Sequence, residues 1–176
     1  MNMSIKPIVR IGNPSLREKS RAIESNEFGS PWLLDLVQDL WDSKEHYGGV
    51  GIAAPQIGIN RRVIVFGFEH TERYKNVGPV PFTVLCNPEI KILDKTEVSA
   101  YEGCLSVGDL RGEVARPKAI EYSGFDEYGR EIKREVSDFH ARLVLHEVDH
   151  IDGVIFIDRV KNTLSLGFRD ELMKLS

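Results

Sequence analysis

The stretch LVLHEVDHIDG, residues 143–153, restricts this chain more than any other segment. Phe139, Leu143, Val144 and Leu145 lead into it and Gly153 closes it, the pattern of a largely buried helix. On a helix, positions i and i+4 share a face, so His146 and His150 aim their imidazoles at one point. Glu147 stands beside the first of them, near enough to touch a metal-bound water without ligating the metal. This is the logic of H-E-x-x-H, two ligands and a general base. The plain alternative is a surface helix with two incidental histidines. Burying two imidazoles and a carboxylate without purpose is costly, which argues for a site.

Two histidines do not complete a metal site, and the residues offer several third ligands. The metzincin pattern would place a histidine six residues after His150, but that position is Phe156. The gluzincin pattern would use a downstream glutamate. Glu171 falls in that range, without the Asn-Glu context of that class. Cys104, in YEGCLSVGD, follows a strand-like segment in a turn-like setting suited to presenting a thiolate. The commonest fate of a free cysteine is a small buried hydrophobe, and Cys86 in TVLCNP fits that reading better. A closed structural zinc site would need a fourth protein ligand, and His46, His70 and His140 lack matching context.

The rest of the chain reads as α+β. SPWLLDLVQDLWDSKEHYGG predicts a helix with Ser30 as N-cap and Pro31 at its first position. Leu33, Val37, Leu40 and Trp41 share one face, and Gly48 and Gly49 end it. RRVIVFGF predicts a short buried strand. PFTVLCNPEIKILD predicts a strand broken at Asn87-Pro88, and KTEVSAYEG alternates weakly. KAIEYSGFDEYGREIKREVS predicts a hairpin turning at DEYG. VIFID reads as a short strand, and TLSLGFRDELMKL as a last helix weakened by Gly167.

Composition excludes several functions. With 23 basic and 27 acidic residues the formal charge is −4, which argues against nucleic-acid binding. No apolar run approaches the roughly 20 residues of a membrane span, and the N-terminus lacks the apolar core of a signal peptide. Two cysteines in 176 residues are not a disulfide scaffold, so a reducing cytosol is expected. The length suits a single domain over residues 1–176.

Three stretches, GVGIAAPQ (49–56), EGCLS (102–106) and HEVDH (146–150), occur in an order that resembles the three signature motifs of peptide deformylases. The resemblance runs from IVRIGNPSLREKS to GVIFIDRV. It implies an α+β fold of mostly antiparallel sheets packed around a central H-E-x-x-H helix, with an N-terminal helix. It implies Cys104, His146 and His150 as metal ligands and Glu147 as the catalytic acid/base. Gln56 and the Leu105 backbone N–H match the groups that hold the carbonyl oxygen. Val50, Gly51, Arg142 and Leu143 are expected to border the pocket for the methionine side chain. The implied activity is removal of the N-formyl group from the initiator methionine of new polypeptides, with formate as product. The implied metal is one divalent ion, typically Fe²⁺, with Zn²⁺, Ni²⁺ or Co²⁺ able to occupy the site. The substrates are N-formylmethionyl nascent peptides, which makes the ribosome a candidate contact, and a bacterial cytoplasm is the expected location. Leu145 departs from the family, standing where many members have glutamine. Ile151 and Gly108 are milder departures.

Overall fold

The computed structural model describes residues 4–71 and 76–175. Helix α1 (Pro31–His46) begins as its sequence predicts. The Ser30 hydroxyl accepts from the Leu33 N–H at 3.3 Å, a cap worth about 1 kcal/mol, and Pro31 follows it. Leu33, Leu36, Val37 and Leu40 form its buried face. Lys44 is buried there too, which the periodicity did not foretell. Its ammonium donates to the Gly67 carbonyl at 3.1 Å and lies over the Trp41 ring.

Five strands follow one another across an antiparallel sheet: β1 (Gly51–Ala53), β2 (Val63–Phe68), β3 (Val80–Gly103), β4 (Leu110–Phe125) and β5 (Glu131–Ser137). Among the described residues, β1 ends the sheet and pairs with β2 alone. All six residues of β2 are buried, because the sheet is covered on both faces. Ile64, Phe66 and Phe68 pack toward a core shared with helix α2 (Asp138–Ile151). Val63 and Val65 pack toward a second core shared with α1. The two-residue period of the strand thus feeds two separate cores.

Strand β3 does not break at Asn87-Pro88. It continues for 24 residues with a register shift between Cys86 and Glu89. Asn87 takes a left-handed φ of 51°. Its side-chain amide holds both the N–H and the C=O of Ile23, at 2.8 and 2.9 Å. Pro88 lies inside the irregularity, where its missing N–H removes no regular ladder bond. The predicted DEYG turn joins β4 to β5, with the Gly129 N–H donating to the Asp126 carbonyl at 3.1 Å.

Two expectations for the C-terminal segment fail. VIFID is not a strand. It contains the start of a helical turn, α3 (Phe156–Arg159), fixed by the Asp158 carboxylate accepting from the Ile155 N–H at 2.9 Å. A short apolar run carries no period with which to separate the two states. The last helix is confined to α4 (Arg169–Leu172), because Gly167–Phe168 forms a small strand, β6, on the edge of β4. No helix among the described residues is long and apolar enough to cross a membrane.

Candidate active site

Helix α2 crosses the sheet and delivers two of the three ligands. His146 and His150 are one turn apart, with ring centroids at 5.1 Å. Cys104 comes from the turn between β3 and β4, where its carbonyl accepts from the Val107 and Gly108 N–H groups at 3.0 and 3.1 Å. The donor atoms of Cys104, His146 and His150 all lie within 4.8 Å of one another, and Cys104 Sγ is 3.2 Å from His150 Nε2. Burial opposes a charged sulfur here. The pull of His150 and hydrogen bonds from both imidazoles outweigh it and hold the Cys104 thiol well below its ordinary value. Glu171, the rival third ligand, lies exposed on α4 and pairs with Lys174. Position 156, where a metzincin would have its third histidine, holds a phenylalanine whose ring stacks on His146.

The ligands rest on a buried ionic chain that the sequence did not reveal. Glu102, at the end of β3, accepts from His146 Nδ1 at 2.9 Å and so leaves Nε2 for a metal. Its two oxygens also receive Arg116 Nε and Nη2, at 2.8 and 2.9 Å. Burial opposes the charge of Glu102, yet the bonds from Arg116 and His146 hold its carboxyl well below the usual range. Arg116 reaches on to Asp149 at 2.7 Å, and Arg159 grips the same carboxylate. Such buried pairs require every partner, because removal of one leaves an uncompensated charge.

A thiolate and two imidazoles suit a borderline divalent cation such as Fe²⁺ or Zn²⁺, and three protein ligands match the open geometry of catalytic sites. A buried carboxylate at the site is also without a partner. Glu147 is only 3% exposed, and its Oε2 has no hydrogen bond among the described residues. Burial raises its pKa to about 7, against the lowering pull of His146 and His150. Gly51 makes room for this carboxylate, since a Cβ at Gly51 would stand 2.6 Å from Glu147 Oε1. The neighbour of Gly51 is thus the chain's own glutamate.

Gln56 lies in the tight turn Ala54–Ile57 that follows β1. Its Oε1 accepts from the Ala53 N–H at 2.9 Å. Its Nε2 faces Cys104 Sγ at 3.4 Å and Ser106 Oγ at 3.3 Å. The Leu105 N–H makes no hydrogen bond among the described residues. A cavity of about 380 Å³ opens beside these groups. Val50, Gly51, Arg142 and Leu143 line it, joined by Phe139, which sequence reasoning missed although it lies one turn before Leu143 on the same helix face. Leu145 points away from this chemistry and packs, half-buried, against the core between α2 and the sheet.

Comparison with known proteins adds an independent finding. The family model described as polypeptide deformylase matches residues 5–165. Peptide deformylase 1 of Nitrosomonas europaea is 41% identical over 168 residues, covering 96% of this chain and 94% of the relative. Peptide deformylase 1 of Bordetella pertussis is 40% identical over the same shares. The crystal structure of the Met-Ala-Ser-bound class I type b peptide deformylase of Acinetobacter baumannii superposes with a TM-score of 0.87 at 33% identity. It covers 90% of this chain and all of that one. The actinonin complex of a deformylase from Synechococcus elongatus gives a TM-score of 0.80 at 28% identity, covering 99% of this chain and 87% of that one.

Proposed function

The chain belongs to the polypeptide deformylase family, and on that premise we propose how its residues divide the work of removing the formyl group from the initiator methionine of new polypeptides. Cys104, His146 and His150 hold one divalent ion, Fe²⁺ in the native protein. When bound, such an ion supplies Lewis acidity, which makes a nucleophile of water near neutral pH. Glu147 takes the proton that the attacking water loses. As the bond between formyl carbon and nitrogen breaks, Glu147 passes a proton to the departing amine, releasing formate and a free N-terminus. Oxygen charge that builds up on the formyl group faces donors already in place, Gln56 Nε2 and the Leu105 N–H. Val50, Gly51, Arg142, Leu143 and Phe139 border the methionine side chain. The ribosome is proposed as the place where substrates are met, and residues 1–176 as one catalytic domain.

The observation that carries this reading is the convergence of three metal donors within 4.8 Å, with the buried, unpartnered Glu147 carboxylate in the same cavity wall. Formate release from formyl-Met-Ala-Ser tests it. The metal-loaded protein is expected to turn over, and formyl-Gly-Ala-Ser to react at least ~10-fold more slowly, since an unburied apolar side chain forfeits about 1.5–3 kcal/mol. Glu147→Gln keeps shape and metal but loses roughly 10²–10⁴ in kcat. A Glu147→Gln protein that turns over at the wild-type rate would show that another group moves the proton.

A further inference from the structure

Arg142 belongs both to the cavity wall and to the ionic chain behind the ligands. It lies one helical turn before His146, on the same face of α2. Its Nη1 donates to Glu102 Oε1 at 2.7 Å and to the Val114 carbonyl at 2.9 Å, and its Nη2 donates to the Val98 carbonyl. One guanidinium thus joins α2 to β3, to β4 and to the carboxylate that orients His146. Its side chain is 11% exposed, and it lines the cavity.

We propose that Arg142 is a positioning residue that, from the wall of the substrate cavity, fixes through Glu102 the direction in which His146 presents Nε2. The geometry behind this is a clamp on both sides of His146. On the C-terminal side, Asp149 is gripped by Arg116 and Arg159. On the N-terminal side, Arg142 is the residue of α2 that reaches Glu102. Glu102 Oε1 has two donors, Arg116 Nε and Arg142 Nη1, while Oε2 serves Arg116 Nη2 and His146. Removal of Arg142 leaves Arg116 to hold the carboxylate and frees the helix on one side of the ligand. Arg142 reaches the carboxylate and the two carbonyls through two separate nitrogens, a spread that a single lysine ammonium does not reproduce, so lysine is not an equivalent. The same side chain borders the substrate, so whatever presses on it bears on the ligand as well.

This inference rests on the metal-hydrolase reading above, and the test separates the two. The cobalt(II)-loaded protein is compared with Arg142→Met, Arg142→Lys, Glu102→Gln and the Arg142→Met/Glu102→Gln double variant. The readouts are the visible absorption of the bound cobalt and its rate of release to a chelator. Both Arg142 variants are expected to release cobalt about 10-fold faster or more, the scale for lost support of a ligand, with an altered absorption band. In the Glu102→Gln background, Arg142→Met should add little, because its route is already cut. Wild-type spectra and release rates in both Arg142 variants would overturn the proposal. So would an undiminished effect of Arg142→Met on top of Glu102→Gln, the signature of a role confined to joining strands. If Arg142→Met lowers the melting temperature of the metal-free protein, Arg142→Lys carries the comparison. A wild type that binds no cobalt would remove the metal-hydrolase reading itself, and this inference with it.

Discussion

Gln56 divides its amide between two neighbours, and the division changes what a mutation there would mean. Its N–H₂ end faces the thiolate, while its carbonyl end serves the buried Ala53 N–H. An oxyanion donor alone would be lost at the expense of kcat, by about 10²–10³-fold. Gln56→Ala also orphans the Ala53 N–H, a loss of about 1–3 kcal/mol. The variant is therefore expected to show a reduced kcat together with a lowered melting temperature at equal metal content. A melting temperature unchanged from wild type would mean that the Ala53 bond contributes nothing. Residue identity was legible in the sequence where chemistry is scarce. Two histidines and a glutamate in H-E-x-x-H left the third ligand open between Glu171 and Cys104 until the family resemblance pointed to Cys104, and the structure brings Cys104, His146 and His150 together. The residues that hold them were not legible. Glu102 and Asp149 fall inside the EGCLS and HEVDH stretches, but what they do there, and the part of Arg116, shows only in their burial and in partners far away along the chain.

At the scale of elements, long periodic segments were readable and short ones were not. Helix α1 and the β4–β5 hairpin begin and turn where capping and turn residues predict. The Asn87-Pro88 pair reads as a break only until Ile23, 64 residues away, supplies the partner that makes it a bulge. VIFID misleads because four apolar residues in a row fit a buried strand or a buried helical turn equally. Helix α2 carries a further group with a consequence for stability. His140 packs against the rings of Phe66 and Tyr122, and its Nε2 has no partner among the described residues. Burial, with the nearby Arg134 charge, lowers its pKa to about 4. The ordinary value near 6.5 applies to the unfolded chain. The unfolded state therefore binds this proton first, and the stabilisation present above pH 6.5 is lost as pH falls toward 4. The ring is only half-buried, so solvent screening reduces the effect to about 1–2 kcal/mol. The expected outcome is a steeper decline of melting temperature between pH 7 and 4.5 in the wild type than in His140→Phe. Parallel declines would assign the acid sensitivity elsewhere.

At the scale of the whole molecule, the metal site joins parts of the fold that are distant in sequence. Cys104 sits in the turn between the two longest strands, and His146 and His150 lie on the helix across the sheet. A cation bound to all three stabilises only the folded chain, by an amount that grows with its free concentration. Chelation should lower the melting temperature of the wild type and leave that of Cys104→Ala unmoved. An equal fall in both would place the cation elsewhere. If the resident ion is Fe²⁺, activity should also decay in air, as iron and its thiolate oxidise. The α+β architecture was visible from the sequence because strands and helices differ in period. The sheet order, and the covering of both its faces, were not, because pairing is decided by contacts far apart in the chain. Among the described residues strand β1 ends the sheet, and its Gly51 lines the cavity. The edge of a strand offers N–H and C=O groups at a spacing every polypeptide shares. A substrate backbone held at Gly51 would be met through groups common to every polypeptide, whatever side chains follow its first residue.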